Sequence, residues 1–182
     1  MRIIGGKKQR KQIIAPSKLP VRPTTDMAKE ALFNILNNHF DINEIDVLDL
    51  CAGTGNISYE FSSRDAKQVI AVDINNNCVQ FIRKTAESLE FENLRAVKAD
   101  IFHFLGICKT RFDIVFVDPP YDMQRMLEIP EAVFKADILK EGGWLVLEHG
   151  ERIHFNTHPY FRESRKYGKV HFSIFQKENA DA

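Results

Sequence analysis

Four consecutive residues, Asp118-Pro119-Pro120-Tyr121, follow the apolar run Phe112–Val117, and their types suit the handling of a planar amino group. Two prolines at a strand end stop its hydrogen-bond ladder and stiffen the backbone. They hold the Asp118 carboxylate and the Pro119 carbonyl as convergent acceptors beside an aromatic face. An amino group offers two N–H donors to meet them. Accepting both draws the nitrogen lone pair out of conjugation, which prepares it to attack an electrophilic methyl group in line. Tyr121 would stack on the ring bearing the amine, a contact worth about 1–3 kcal/mol in single-stranded recognition. A base inside a helix would have to be flipped out or met in a loop. Positioning can supply most of such catalysis, so no strong general base is required. Standing alone, the same residues also describe a proline-terminated strand followed by a turn tyrosine. No cysteine follows a proline in this region, which argues against covalent attack on a pyrimidine ring.

A second cluster lies upstream, in Asp49-Leu50-Cys51-Ala52-Gly53-Thr54-Gly55-Asn56. Gly53 and Gly55 allow a sharp turn and close backbone approach to a ligand, and a helix N-terminus would follow. A structural turn would use the same residues. The third glycine of a dinucleotide fingerprint is missing, because Ile57 and Ser58 stand where a pyrophosphate would need a small residue. Asp73 closes the next strand eighteen residues after Gly55, near the spacing at which an acid meets ribose hydroxyls. Asp49 suits the α-ammonium of a methionine moiety. Asp100 would reach the adenine amine or ribose, with Ile101 against the ring. A ribose and an ammonium without a pyrophosphate describe S-adenosylmethionine rather than a nicotinamide dinucleotide. The expected cofactor residues are Asp49, Cys51, Ala52, Gly53, Thr54, Gly55, Asp73, Ile74, Asp100 and Ile101; Asp73 and Asp100 could instead cap the helices after them.

These motifs need a scaffold that brings strand ends together. The chain after residue 45 alternates short apolar runs with helical periodicity. Strands are expected at 45–50, 68–74, 94–99, 112–117 and 143–148, with helices at 57–63, 76–89, 101–107 and 126–139. Several strands are apolar on both faces, which implies a parallel α/β sheet covered on each side. Ligands bind such sheets at the carboxyl ends of the strands, where strand order reverses. Residues 161–167 and 170–176 read as a final antiparallel hairpin around Gly168. A further helix, with Ala28, Ala31, Leu32, Ile35 and Leu36 on one side, precedes the sheet and is capped by Thr25 or Asp26.

The 182 residues carry no net charge, yet residues 1–29 hold eight lysines and arginines against Asp26 alone, a net +7 balanced by −7 elsewhere. A basic N-terminal segment on an acidic body points to a polyanionic partner, although a solvated tail has the same composition. Ile3-Ile4, Gly5-Gly6 and Ile13-Ile14 read as strand, turn and strand, a small hairpin displaying basic side chains. Arg2, Lys7, Lys8, Arg10, Lys11 and Arg22 are the expected RNA-binding residues; Arg162, Arg165, Lys166 and Lys169 could extend that surface or form a solvated face. Three dispersed cysteines and six histidines without ligand spacing predict no disulfide framework and no metal site. No run approaches a membrane span and no secretory signal is read, so a cytoplasmic protein is expected.

The blocks Met1-Arg2-Ile3-Ile4-Gly5-Gly6, Arg22-Pro23-Thr24-Thr25-Asp26, 29–36 (KEALFNIL), 49–55 (DLCAGTG) and 118–121 (DPPY) occur in that order. Together they closely resemble the RsmD family of bacterial 16S ribosomal RNA guanine-N2 methyltransferases, from the first residue to the terminal hairpin. The resemblance implies a Rossmann-like class I S-adenosylmethionine-dependent methyltransferase with a seven-stranded, mostly parallel sheet. It places a basic N-terminal hairpin (1–24) on the RNA side of the methyltransferase domain (25–182). The substrate would be one guanine of 16S rRNA in the small ribosomal subunit or its assembly intermediate, and the enzyme a monomer. Arg22-Pro23-Thr24 would help close the site, and Asp118, Pro119, Pro120 and Tyr121 would be catalytic. The stretch 56–61 (NISYEF) departs from the family's small residues and puts the packing of its helix in question. Alternatives are a DNA adenine-N6 methyltransferase, for which the chain has little room for a target-recognition domain, and a non-catalytic rRNA-binding assembly factor. A protein-glutamine methyltransferase would prefer asparagine at 118 and would not need the basic segment.

Overall fold

Strands buried on both faces and helices buried on one dictate three layers, and the computed structural model, which describes residues 1–19 and 24–177, has them. The seven strands are β1 (Asp46–Leu50), β2 (Gln68–Asp73), β3 (Leu94–Lys98), β4 (Phe112–Val117), β5 (Leu139–His149), β6 (Phe161–Tyr167) and β7 (Val170–Gln176). The five α-helices are α1 (Asp26–Asn37), α2 (Asn56–Ser63), α3 (Asn76–Ser88), α4 (Ile101–Ile107) and α5 (Ile129–Lys135). Sheet order is β3-β2-β1-β4-β5-β7-β6. The first five strands run parallel, and β7 pairs antiparallel with both β5 and β6. Strand order reverses between β1 and β4, where a crevice is expected.

Alternation along each strand splits the core in two. Val47, Ile114, Phe116, Trp144 and Val146 face the side covered by α1, α2 and α3. Leu48, Leu50, Val115, Val117, Leu145 and Leu147 face α4 and α5. Thr25 caps α1 by accepting from the Ala28 amide. The helix expected at 126–139 is shorter: a 3₁₀ turn at Met126–Glu128 precedes α5, and Leu139 already pairs with Phe112 in β5. Asp137, at φ +52°, ends the helix in the left-handed conformation typical of a helix stop.

The N-terminal segment is a minimal hairpin, with one antiparallel bridge between Arg2 and Gln12 and paired main-chain bonds joining Met1 with Ile13 and Ile3 with Lys11 and Arg10. It lies over α2 rather than projecting, and Ile3 and Ile13 belong to the same core as α1 and the sheet. The approach is close enough that a Cβ on Gly6, at φ +76°, would sit 1.9 Å from the Ser63 carbonyl oxygen. Every residue of α2 is buried in consequence.

A buried helix bearing Asn56, Ser58, Glu60 and Ser63 must find partners for its polar groups. Lys29 of α1, 0% exposed, supplies several: its ammonium donates to Asn56 Oδ1 (2.9 Å), Glu60 Oε1 (3.0 Å) and the Arg2 carbonyl. Glu60 also accepts from the Ile4 amide at 2.6 Å. Removing one member of a buried pair leaves the other uncompensated, at about 3–5 kcal/mol. Arg64 Nη2, 3.5 Å from Glu60 Oε2, leaves Glu60 one cation, so Lys29→Met should lower unfolding stability in urea titrations by no more than about 3–5 kcal/mol.

Candidate active site

The carboxyl ends of β1, β2 and β4 open onto one cleft of about 720 Å³, inside the usual range for small-molecule sites. Of the residues expected to hold a cofactor, Asp49, Cys51, Ala52, Gly53, Thr54, Asp73, Ile74, Asp100 and Ile101 line it, as do Asp118, Pro119, Pro120 and Tyr121. Gly55 does not. It sits at φ +82° at the start of α2, where a Cβ would fall 2.8 Å from the Tyr59 ring. Its part is to let the loop turn into the helix without striking that ring.

Asp49 is 1% exposed and accepts from Ser58 Oγ at 2.5 Å. Burial pushes its carboxyl up to about 7; the Ser58 bond lowers it and the Asp73 charge adds to the rise. Asp73 accepts from the amides of Gly53 (2.8 Å) and Asn75 (2.7 Å), which ties the loop after β1 to the end of β2. Burial raises this carboxyl too, against those two hydrogen bonds. Asp100 caps α4 through the amides of Phe102 and His103 while still facing the cleft. Cys51 adopts φ +60°, and burial among four aspartates drives its thiol far above the usual range, so it is a neutral wall rather than a nucleophile.

Asp118 stands one residue beyond Val117, and Glu148 one beyond Leu147; Val117 and Leu147 are paired across β4 and β5. Phe116 and Val146 share one core face, so by alternation both acids face that side. Burial raises the Asp118 carboxyl well above the ordinary carboxylate range, and the charges of Glu148 and Asp49 raise it further. Tyr121 is 46% exposed, and its hydroxyl donates to Glu148 Oε1 at 3.2 Å. Thr24 Oγ1 donates to Glu148 Oε2, also at 3.2 Å, and the Thr24 carbonyl accepts from Asn56 Nδ2 at 2.9 Å.

Glu148, Thr24 and Asn56 are not among the residues that sequence reasoning assigns to catalysis or cofactor binding. Glu148 stands one residue before the end of apolar β5, much as Asp49 does in β1, and that position is the one signal that could have found it. Arg22 lies outside the described residues. Among the other basic residues assigned to RNA, Arg2 pairs with Asp26, Lys7 with Asp65 and Lys8 with Glu90. Arg10 and Lys11 are exposed and have no ion pair among the described residues. Arg165 and Lys166 pair with Glu163 and Glu151, whereas Lys169 reaches the cleft. No cluster of three or more metal-binding side chains occurs among the described residues, and no helix among them is long and apolar enough to cross a membrane.

The family model described as Conserved hypothetical protein 95 matches residues 1–176. The chain belongs to this family, the RsmD family. Ribosomal RNA small subunit methyltransferase D of Escherichia coli strain K12 is 34% identical over 148 residues, 81% of this chain and 71% of its own. The solved structure of yhhF from Escherichia coli matches this RsmD-family chain with a TM-score of 0.86 at 28% identity, over 98% of each chain. The methyltransferase fold extends to SMU.776, solved in complex with SAH, at a TM-score of 0.66 and 14% identity over 80% of this chain and 48% of that one. The sheet is thus that of a Rossmann-like class I methyltransferase.

The raised Asp49 carboxyl makes a signed prediction. Between about pH 4, where an unfolded aspartate loses its proton, and about 7, the folded chain holds a proton that the unfolded chain has lost. The cost of Asp49 is therefore absent at pH 4, grows through this window and is complete above it. Asp49→Asn should raise the unfolding temperature of the ligand-free protein at pH 8 and leave it little changed at pH 4. The gain at pH 8 has an upper bound of about 4 kcal/mol. Thermal melts at the two pH values check this.

Proposed function

We propose that this RsmD-family protein transfers the methyl group of S-adenosylmethionine to the exocyclic N2 amine of a guanine in 16S rRNA of the small ribosomal subunit. The observation that carries this reading is the opening of Asp49, Asp73 and Asp118, from three neighbouring strand ends, into one cleft.

The residues fit the cofactor. Asp49 is a buried carboxyl that a cation would return to its ionised form, as the α-ammonium would. Asp73, fixed by two amides, presents its remaining lone pairs to the ribose hydroxyls. Ile74, 66% exposed, and Ile101 flank the adenine, and Asp100 meets its amine. When bound, S-adenosylmethionine supplies an electrophilic methyl group on a positively charged sulfur. Asp118 and the Pro119 carbonyl accept the two hydrogens of the guanine amine and turn its lone pair toward that methyl. Pro119 and Pro120 keep these acceptors from swinging away. Tyr121 offers the half-exposed ring for stacking. The raised affinity of the Asp118 carboxyl for a proton lets it take the one released from the amine.

The phosphates of the RNA cannot enter a cleft lined by carboxylates, so the cations at its approaches hold them. Lys169, at the cleft, fits that part; Arg10 and Lys11 belong to the hairpin turn beside the far end of α2 and would meet RNA beyond the cleft, while Arg2, Lys7 and Lys8 would first exchange their carboxylate partners, exposed pairs of that kind being weak.

Isotope-labelled S-adenosylmethionine, incubated with the protein and small subunits lacking native methylation, should place label in N2-methylguanosine after nucleoside digestion and mass spectrometry. Asp118→Ala should lower that transfer at least about 100-fold and leave cofactor affinity, measured by calorimetry, within a few-fold. Label in N6-methyladenosine would overturn the guanine reading, and no transfer despite cofactor binding would favour an assembly factor. In filter binding, Arg10→Ala with Lys11→Ala should flatten the log–log salt slope by about 0.7 to 0.9 for each phosphate that the two side chains neutralise.

A further inference from the structure

The motif Asp118-Pro119-Pro120-Tyr121 accounts for an amino group but not for the choice of base, because adenine and cytosine also carry one. The donor pattern beside the amine differs between bases. Guanine presents N1–H next to its N2 amine, so that edge is a row of donors. Adenine presents a bare N1 next to its N6 amine, and a bare ring nitrogen is an acceptor.

The cleft offers a matching row of acceptors. Asp118 and Glu148 occupy equivalent positions at the ends of paired strands and face the same side of the sheet. Both line the cleft, and Glu148, 4% exposed, is held from two directions by Thr24 Oγ1 and by the hydroxyl of Tyr121. A carboxylate has about four acceptor sites, so these donors and a base edge can share it. The ring expected to stack on the base is thereby tied to the carboxylate that would meet its edge.

We propose that Glu148 determines the specificity for guanine by accepting its N1–H while Asp118 and the Pro119 carbonyl accept the N2 amine. This rests on the reading of the cleft as a guanine methyltransferase site. Guanine brings donors to both acids, whereas the N1 lone pair of adenine or of 2-aminopurine would face an anion. Discrimination then comes from repulsion as much as attraction. Sites that hydrogen-bond a substrate group reject analogues lacking it far more strongly than apolar pockets do.

2-Aminopurine keeps the N2 amine, replaces N1–H with a bare nitrogen and also lacks the 6-oxo group, so the response of the Glu148 variants to the swap is what isolates the contact. Small subunits would be reconstituted on 16S rRNA whose target guanine, mapped by wild-type labelling, is either retained or replaced by 2-aminopurine through splinted ligation. Single-turnover transfer to the two particles is then compared. The wild-type protein should prefer guanine at least about 100-fold. Glu148→Gln, whose carboxamide can donate to the bare nitrogen, should bring the two rates within about tenfold, and Glu148→Asp should retain a preference for guanine. Equal rates for the wild type on both particles would overturn the proposal whatever the variants do. So would a Gln variant that slows on both while keeping the wild-type ratio, the signature of a merely structural role. If the wild type fails to methylate guanine itself, the functional reading has failed and this inference falls with it.

Discussion

The ammonium of Lys29 has three hydrogens and no route to water, and the arrangement of the cleft depends on where they go. One is given to the N-terminal hairpin at the Arg2 carbonyl and two to α2, at Asn56 and Glu60. Asn56 passes the constraint on to the Thr24 carbonyl, Thr24 to Glu148, and Glu148 to the hydroxyl of Tyr121. A chain of hydrogen bonds thus runs from the second residue of the protein to the hydroxyl of Tyr121. Each group in it is buried or partly buried, where a missing partner costs more than at the surface. The lysine is expensive to bury, and it makes α1, α2 and the hairpin one unit against which the strand ends are set.

That unit explains why α2 departs from a small-residue pattern. With a helix above it, a hairpin across it and the sheet beneath, every side chain of α2 is inside. Asn56, Ser58, Glu60 and Ser63 each answer a specific polar group: Lys29 and Thr24, Asp49, Lys29 and Ile4, and Gly5. Ser58 matters most for the cleft, because its hydroxyl donates to Asp49 and holds that carboxyl in place. A helix that looks weakly amphipathic is therefore a polar insert, four of whose side chains are matched to named groups around it.

Backbone-encoded features are legible in the sequence, and partner-encoded ones are hidden. Asp118 and Tyr121 can be read because prolines fix their backbone, and Asp49 and Asp73 because glycine and strand periodicity frame them. Arg2, Lys7 and Lys8 read as RNA-binding from charge alone, but charge does not reveal that Asp26, Asp65 and Glu90 lie beside them in space. Lys29 stands inside the most distinctive sequence block without any hint that it is buried. Glu148 escapes because nothing local distinguishes an acid at the end of β5 from one at the surface. Gly55 groups with the ligand-facing glycines on spacing, though its neighbours are Tyr59, one helical turn on, and Ile82 of α3, which no linear spacing points to. The shortness of α5 is hidden for a related reason: apolar periodicity carries through Ile138 and Leu139, and only the left-handed turn at Asp137 separates helix from strand.

The distribution of charge also constrains how a nucleic acid can approach. Asp49, Asp73, Asp100, Asp118, Asp122 and Glu148 line the cleft, and Lys169 is the one cation among its described lining residues. Phosphates are repelled from such a surface, while cations and N–H donors are drawn in. A sulfonium cofactor with an ammonium group and a donor-rich base edge are ligands of the second kind. An RNA strand therefore cannot lie along the cleft. A strand whose backbone stays outside, beside Lys169 at the edge of the cleft, need send in only the base. Extrusion of that base costs a few kcal/mol in a helix and less in a loop. The acidity of the cleft thus favours a guanine that is already unpaired or easily freed, and electrostatics contributes to target choice before any base edge is read.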